Sequence, residues 1–294
     1  MAASAVNALI AFPNYADVTS VYAPVLSGGA WQTGAPLSNL QNRFLAYPAR
    51  SVDCTTDATQ GMIDLQTLRG IQVIVIPRHN LTTNAVVTFN LYDESMSLVS
   101  TNVVTVFPAL YAPGSLPWGY PHFFDGKITQ EEWALSLYPV PVLLTLQNSV
   151  LARYVSFSIN DTANPAGYVQ LNRIFIAPGW QPSVNFAFNS SLQVSDNTIE
   201  TITLGTASIY DSRAKQRIFN LSFPYVPTNE MFANALDMEM RLGKSGQVFV
   251  SLSPTDAVNL ARTSCICTMP TIDPLAYTFV NMHGTNFVFK EVVA

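Results

Sequence analysis

The run Ile71-Gln-Val-Ile-Val-Ile76, closed by Pro77, sets the class of this chain more firmly than any other feature. β-branched residues are stiff in a helix and pack well on a pleated surface, so a short run of them bounded by a proline predicts a buried strand. The texture recurs. Val86–Tyr92 alternates apolar and polar, Asp93-Glu-Ser95 is its turn, and Leu98–Phe107 returns. Strands are expected at Met62–Leu65, Val140–Gln147, Ala152–Asn160 and Tyr168–Ile176, then near 184–195, 199–210, Lys215–Phe223, Gln247–Leu252, 262–269, 275–282 and 286–293. Pro and Gly clusters separate them, which is the signature of all-β sandwiches. One long helix interrupts the pattern, over 229–242. Thr228 stands where a cap belongs, Met231, Ala235, Met238 and Leu242 share a face, and Gly243 suits the left-handed exit. Shorter helices are expected from about Gln130 to Leu135, after the capping box Thr129-Gln-Glu-Glu132, and after Ser253-Pro-Thr-Asp256, with Ser253 as cap.

Three segments follow: an irregular N-terminal segment over 1–29, a first β-sandwich over 30–180, and a second, smaller β-sandwich with the helix over 181–294. Ala177-Pro-Gly-Trp-Gln-Pro182 marks the second boundary.

Charge narrows the partners. Only 11% of the 294 residues are Asp, Glu, Lys or Arg, where soluble domains carry about 25%. So few charges imply a surface partly covered by a membrane or by other proteins. No run of about 18 apolar residues offers a spanning helix, and Pro breaks the strands too unevenly for an outer-membrane barrel. The first basic residue is Arg43, so no secretory signal is expected. Protein contacts remain. A net charge of −5, with Lys and Arg scattered, predicts no nucleic-acid contact. The three cysteines, Cys54, Cys265 and Cys267, are too few and too odd for a disulfide scaffold.

No motif for catalysis stands out. G-x-S-x-G, P-loop and G-x-G-x-x-G sequences are missing. His79 is read as ordering its own turn. Cys265-Ile-Cys267 lacks the second pair that a zinc site takes, so its thiols are read as small hydrophobes. Glu131 and Glu132, weighed with Asp125 as paired carboxylates, point apart on a helix, and Glu132 has a capping role. Sequons at Asn80, Asn160, Asn189 and Asn220 are read as chance in a chain rich in Asn, Ser and Thr. No enzyme activity, cofactor or metal is expected. The best binding candidate is the aromatic stretch 111–124 of the long loop 108–127. Tyr111, Trp118, Tyr120, His122 and Phe123 could contact another protein or a sugar, or close the sandwich end.

Several stretches resemble the galactose-binding-like (discoidin-type) jelly roll, in the variant found in phage virion proteins. They are Trp31, Pro36-Leu-Ser-Asn-Leu40 and Ala49-Arg-Ser51; Met62–Leu65 with Ile71–Ile76; Arg78-His-Asn-Leu81; and Ala152-Arg-Tyr-Val155, Asn164-Pro-Ala-Gly-Tyr168 and Asn172-Arg-Ile-Phe175. The second half resembles the β-sandwich-plus-helix domain of distal-tail-type phage proteins, through Arg217–Phe223, Glu230, Leu242-Gly-Lys-Ser-Gly246, Val248–Val250, Pro254-Thr-Asp256 and Phe287-Val-Phe-Lys-Glu291. These resemblances imply a structural subunit of a bacteriophage tail tip or baseplate, made in the host cytoplasm and located in the virion. It would form a ring with copies of itself, a hexamer or trimer, and join the tail tube to other tail proteins. The alternative is a carbohydrate-binding fibre or receptor-binding component that recognises a host glycan.

Overall fold

The computed structural model describes residues 7–18, 23–107, 111, 114–129, 131–132, 139–204 and 206–293. The chain is all-β, a jelly-roll sandwich followed by a second β unit that carries the long helix. The first unit is built around two long strands, β4 (Gln60–Ile76) and β7 (Val142–Asn160), preceded by β1 (Leu9–Ala11), β2 (Val25–Ser27) and β3 (Ala49–Arg50). Between β4 and β7 lie β5 (Val86–Tyr92) and β6 (Leu98–Thr105). After β7 come β8 (Gln170–Leu171), β9 (Phe175–Ala177) and β10 (Gly179–Trp180).

β4 and β7 pair antiparallel along their whole length, but the register slips twice: between Asp64 and Arg69, then between Ile71 and Val73. The extra residues fall first on β4 and then on β7. Bulges bend a ladder, and here they let one strand pair serve two layers. The front layer runs β2-β4-β7-β5-β6. Beyond the bulges, β4 lies between β7 and β9. Inward side chains from both layers meet in one core, with Ile63, Phe89 and Phe157 from the front against Ile74, Ile76 and Val142 from the back.

The second unit comprises β11 (Ser191–Ser195), β12 (Ile199–Ile202), β13 (Ser208–Asp211), β14 (Gln216–Pro227), β15 (Gln247–Ser251), β16 (Ser264–Thr268), β17 (Ala276–Phe279) and β18 (Met282–Glu291). Its main sheet runs β10-β1-β15-β16-β18-β14-β11, with β17 beside β18. Leu9–Ala11, expected to be irregular, is thus a strand. It pairs with β15 and β10, a contact across most of the chain that local sequence does not signal.

Thr228–Glu230, a π-helical Met231–Leu236 and Asp237–Leu242 run on without a break as helix α1. Met231, Ala235 and Met238 are buried against Phe219, Phe223 and Phe287 of the sheet, as the spacing predicts. Two details differ. Pro227 occupies the cap, and the Thr228 hydroxyl lies 3.2 Å from His283 Nδ1. The segment after Ser253 is a turn in which Asp256, not Ser253, accepts from the Val258 and Asn259 amides; helix α2 covers only Leu260–Thr263. Gly243 leaves α1 with φ +53, a conformation that disfavours any residue with a Cβ.

The other face of this sheet packs on the first unit. Leu9, Ala11, Phe249 and Ile266 meet Val73, Val75, Phe175 and Ala177 on the outer side of the back layer. Both layers at this junction are therefore covered on two sides, and their strands read as nearly continuous apolar runs. Arg173, fully buried, ties the junction: it donates to Asp17 at 2.6 Å and bonds the Gln247 side chain.

Candidate functional site

The loop after β6 is closed on itself. The Tyr111 amide donates to the Gly126 carbonyl (3.0 Å), Gly114 to Phe123 (3.3 Å), Phe123 to Tyr120 (3.2 Å) and Gly126 to His122 (2.8 Å). Gly126 has φ +63, and a Cβ there would sit 2.1 Å from the Tyr111 carbonyl oxygen, so only glycine lets the two ends of the loop meet. His122 also takes a left-handed φ of 62, unusual for a residue with a side chain.

The capping box anchors the loop. Thr129 N–H donates to Glu132 Oε2 at 2.7 Å, and the Glu132 amide returns a bond to Thr129 Oγ1 at 3.1 Å. The other oxygen of Glu132 accepts from the Tyr120 hydroxyl at 3.0 Å. The Thr129 amide holds the Glu132 carboxyl below its usual range, and that carboxylate in turn raises the Tyr120 hydroxyl. Glu131 and Glu132 are helical; the rest of the expected 130–135 helix lies outside the described residues.

On this scaffold stands an aromatic cluster. Trp118 and Phe124 meet Phe123 edge-on, with ring centroids 5.3 and 5.1 Å apart. Edge-to-face pairs of this kind are favoured by the ring quadrupoles. Yet Trp118 remains 84% exposed and Phe124 80%, so the cluster presents ring faces instead of hiding them. Beside it, His122 Nδ1 lies 3.0 Å from both Asp125 oxygens, and this contact holds the Asp125 carboxyl below its usual range. Trp118, Tyr120, His122 and Phe123 line a shallow cavity of about 430 Å³ together with Gly119, Phe124 and Asp125. Four of the five sequence candidates thus converge. Tyr111 stands outside the lining and serves through its backbone. Phe124 and Asp125 join the site; their place beside Phe123 and three residues after His122 was the available signal.

His79 and the Cys265–Cys267 pair lie outside this loop. His79 Nδ1 accepts from the Leu81 amide at 3.1 Å, and burial pushes the ring pKa down to about 4. The Cys265 and Cys267 sulfurs lie 3.3 Å apart on the helix-facing side of β16, and burial pushes the Cys267 thiol up. A second, polar cavity of about 380 Å³ lies at the Asn160–Pro165 turn. Its Asp161 already accepts from the Thr82 amide and hydroxyl and from Asn164 Nδ2. Among the described residues no group of three or more His, Cys, Asp or Glu could hold a metal ion, and no helix is long and apolar enough to cross a membrane.

No family model and no curated protein matches the chain. Among solved structures 46 chains match. One is the family 32 carbohydrate-binding module of NanJ from C. perfringens, in complex with galactose, at 9% identity and a TM-score of 0.37, covering 58% of this chain and 99% of that one. A Streptococcus pneumoniae fucose-binding module, SpX-3, gives 11% and 0.36, covering 57% and 98%. The lectin domain of Lectinolysin, complexed with Lewis B antigen, gives 13% and 0.34, covering 56% and 95%.

Proposed function

We propose that this chain is a non-catalytic glycan-binding protein and that loop 114–129 is its sugar site. The observation that carries the reading is the exposed Trp118 ring, held edge-on by Phe123 next to a fixed carboxylate. A sugar ring has an apolar C–H face and a rim of hydroxyls. A flat indole takes the face, and Asp125, kept ionised beside His122, accepts from hydroxyls at the rim. The loop's internal hydrogen bonds hold these groups before any ligand arrives, which lowers the ordering cost of binding. A glycan array followed by calorimetry tests the reading. Trp118→Ala is expected to weaken binding more than tenfold, which corresponds to about 1.4 kcal/mol or more. A wild-type protein that binds no glycan, or a Trp118→Ala variant that binds as wild type does, defeats it.

A second reading keeps the tail-tip or baseplate subunit. It is favoured by the low charge and by apolar surface that the chain leaves open around β12 and β13. Such a subunit would work by geometry, with its surface covered by other virion proteins. Mass spectrometry of purified particles tests it: the chain must be present at a fixed copy number, and its absence rejects the reading.

A further inference from the structure

The second sheet ends in a ribbon that extends past its own core. β11 pairs with β14, and the chain then leaves the sheet at Ser195, forms the β12–β13 hairpin, and re-enters at Gln216. Ten residues of extended chain reach roughly 30 Å. Every described residue of β12 and β13 is exposed. An isolated two-stranded ribbon is marginally stable in water, so a hairpin this uncovered needs a partner.

Its apolar content says the same. Leu192 and Val194 lie opposite Phe219 and Arg217, hence on the helix side of the sheet, yet they are 48% and 58% exposed because α1 does not reach them. Further out, Ile202 is 67% exposed and Leu204 109%. Among the described residues β11 and β12 pair only with the returning strands, so the outer edge of both is open. Ser-Leu-Gln-Val-Ser and Ile-Glu-Thr-Ile carry none of the Lys or Pro residues that usually blunt such an edge.

We infer that this ribbon is a two-fold dimerisation element whose occupant is a second copy of this chain. Antiparallel pairing of β11 with the partner's β11, centred on Gln193, is self-complementary. Leu192 then faces the partner's Val194, and Val194 the partner's Leu192, both pairs on the helix side where apolar surface is uncovered. Past Ser195 each arm runs along the partner's Val184–Phe188 segment, where Val184 is 41% exposed and Phe188 111%. A stable interface takes about 800 Å² and 20–30 residues from each side; the 19 residues of 184–202, which this register lays against their counterparts, come close to that number on each copy. The contact is isologous, so the β11 edge closes at two copies.

Native mass spectrometry and sedimentation of the full chain test this. The expected mass is twice the 32.1 kDa of the chain. Val194→Lys places a charge in both apolar pairs and is expected to give a folded monomer with an unchanged circular dichroism spectrum, since Val194 is exposed within one copy. Gln193→Cys sits opposite itself across the two-fold and is expected to form an intermolecular disulfide on mild oxidation, whereas Ser191→Cys, which faces the partner's Ser195, is not. A monomer at every concentration, a trimer or larger ring, a dimer that survives Val194→Lys, or a dimer in which Gln193→Cys fails to cross-link overturns the inference.

Discussion

Two ionisable side chains should pull the stability of this protein in opposite directions as pH changes. His79 is buried, and its ring pKa falls from the ordinary 6.5 to about 4. The folded state refuses a proton that the unfolded state accepts. Stability is therefore intact above pH 6.5 and is lost as pH falls toward 4. At 1.36 kcal/mol per pH unit, the loss from this one ring is about 2 kcal/mol at pH 5 and about 3 kcal/mol at pH 4. Glu239 does the reverse. Burial on α1, with Asp273 opposite, pushes its carboxyl up from 4.5 to about 7. Its penalty is full above pH 7 and fades as pH falls toward 4.5. The side chain is only half-buried, so solvent screening reduces the relief between pH 8 and pH 5 to about 1 kcal/mol.

The assay is urea unfolding from pH 8 to pH 4.5 for wild type, His79→Gln and Glu239→Gln. His79→Gln removes the acceptor for the Leu81 amide, so its baseline drops. What matters is the gap to wild type, which should narrow by about 2 kcal/mol between pH 7.5 and pH 5. The Glu239→Gln variant should be more stable than wild type by about 1–2 kcal/mol at pH 8 and should converge with it near pH 5. Wild-type and His79→Gln curves that stay parallel would refute the claim that His79 is held neutral in the fold.

Three further outcomes are expected. Arg217 donates to Glu291 at 2.6 Å and to the Ala261 and Arg262 carbonyls while nearly buried; Arg217→Met strands the Glu291 carboxylate and should cost about 3–5 kcal/mol in chemical denaturation, much of it recovered in Arg217→Met with Glu291→Leu. Gly126→Ala drives a methyl into the Tyr111 carbonyl, so hydrogen exchange should speed up across loop 114–129 and glycan affinity should drop, while protection in β4 and β7 stays as it was. Glu132→Ala removes the acceptor for both Tyr120 and the Thr129 amide and should cost about 1 kcal/mol, with the same loop-limited change in exchange.

Local pattern made much of this architecture readable. Alternation places Arg217, Phe219, Leu221 and Phe223 on one face of β14, and all four are buried there. The helix stripe Met231, Ala235, Met238 is equally legible because its period is set by backbone geometry alone. What was not legible depends on partners far away in sequence. Leu9-Ile-Ala11 is three residues in a loop-rich stretch, and only pairing with Phe249–Ser251 makes it a strand. Sequence pattern alone divides β4 and β7 at their bulges into separate strands; nothing local says that the chain continues through Gln66 and Ser149 as one bent ladder. At the loop, the aromatic content named most of the site. The Gly126–Tyr111 closure and the Tyr120–Glu132 bond join residues well apart in the loop, and composition does not encode them.

The scarcity of charge now has two separate causes. Part of it is internal. The back layer of the jelly roll is covered by its own core on one side and by β1, β15 and β16 on the other, so Val73, Val75, Phe175, Phe249 and Ile266 occupy positions that would face water in a free-standing sandwich. Those positions need no partner molecule to explain them. The remainder is external and spread over the surface, with exposed side chains such as Val103, Met240 and Tyr277; two of its concentrations are the Trp118–Phe124 cluster and the β11–β13 ribbon. The two differ in kind. The loop surrounds its rings with fixed polar groups, as suits a small polar ligand with one apolar face. The ribbon offers an open strand edge with few charges, as suits another strand. If both readings hold, a two-fold dimer carries two sugar sites, and binding to a surface dense in glycan gains by avidity without any new contact. Val194→Lys would then weaken attachment to glycan-coated beads while leaving the affinity for a soluble monosaccharide unchanged, a separation that a single-site protein could not show.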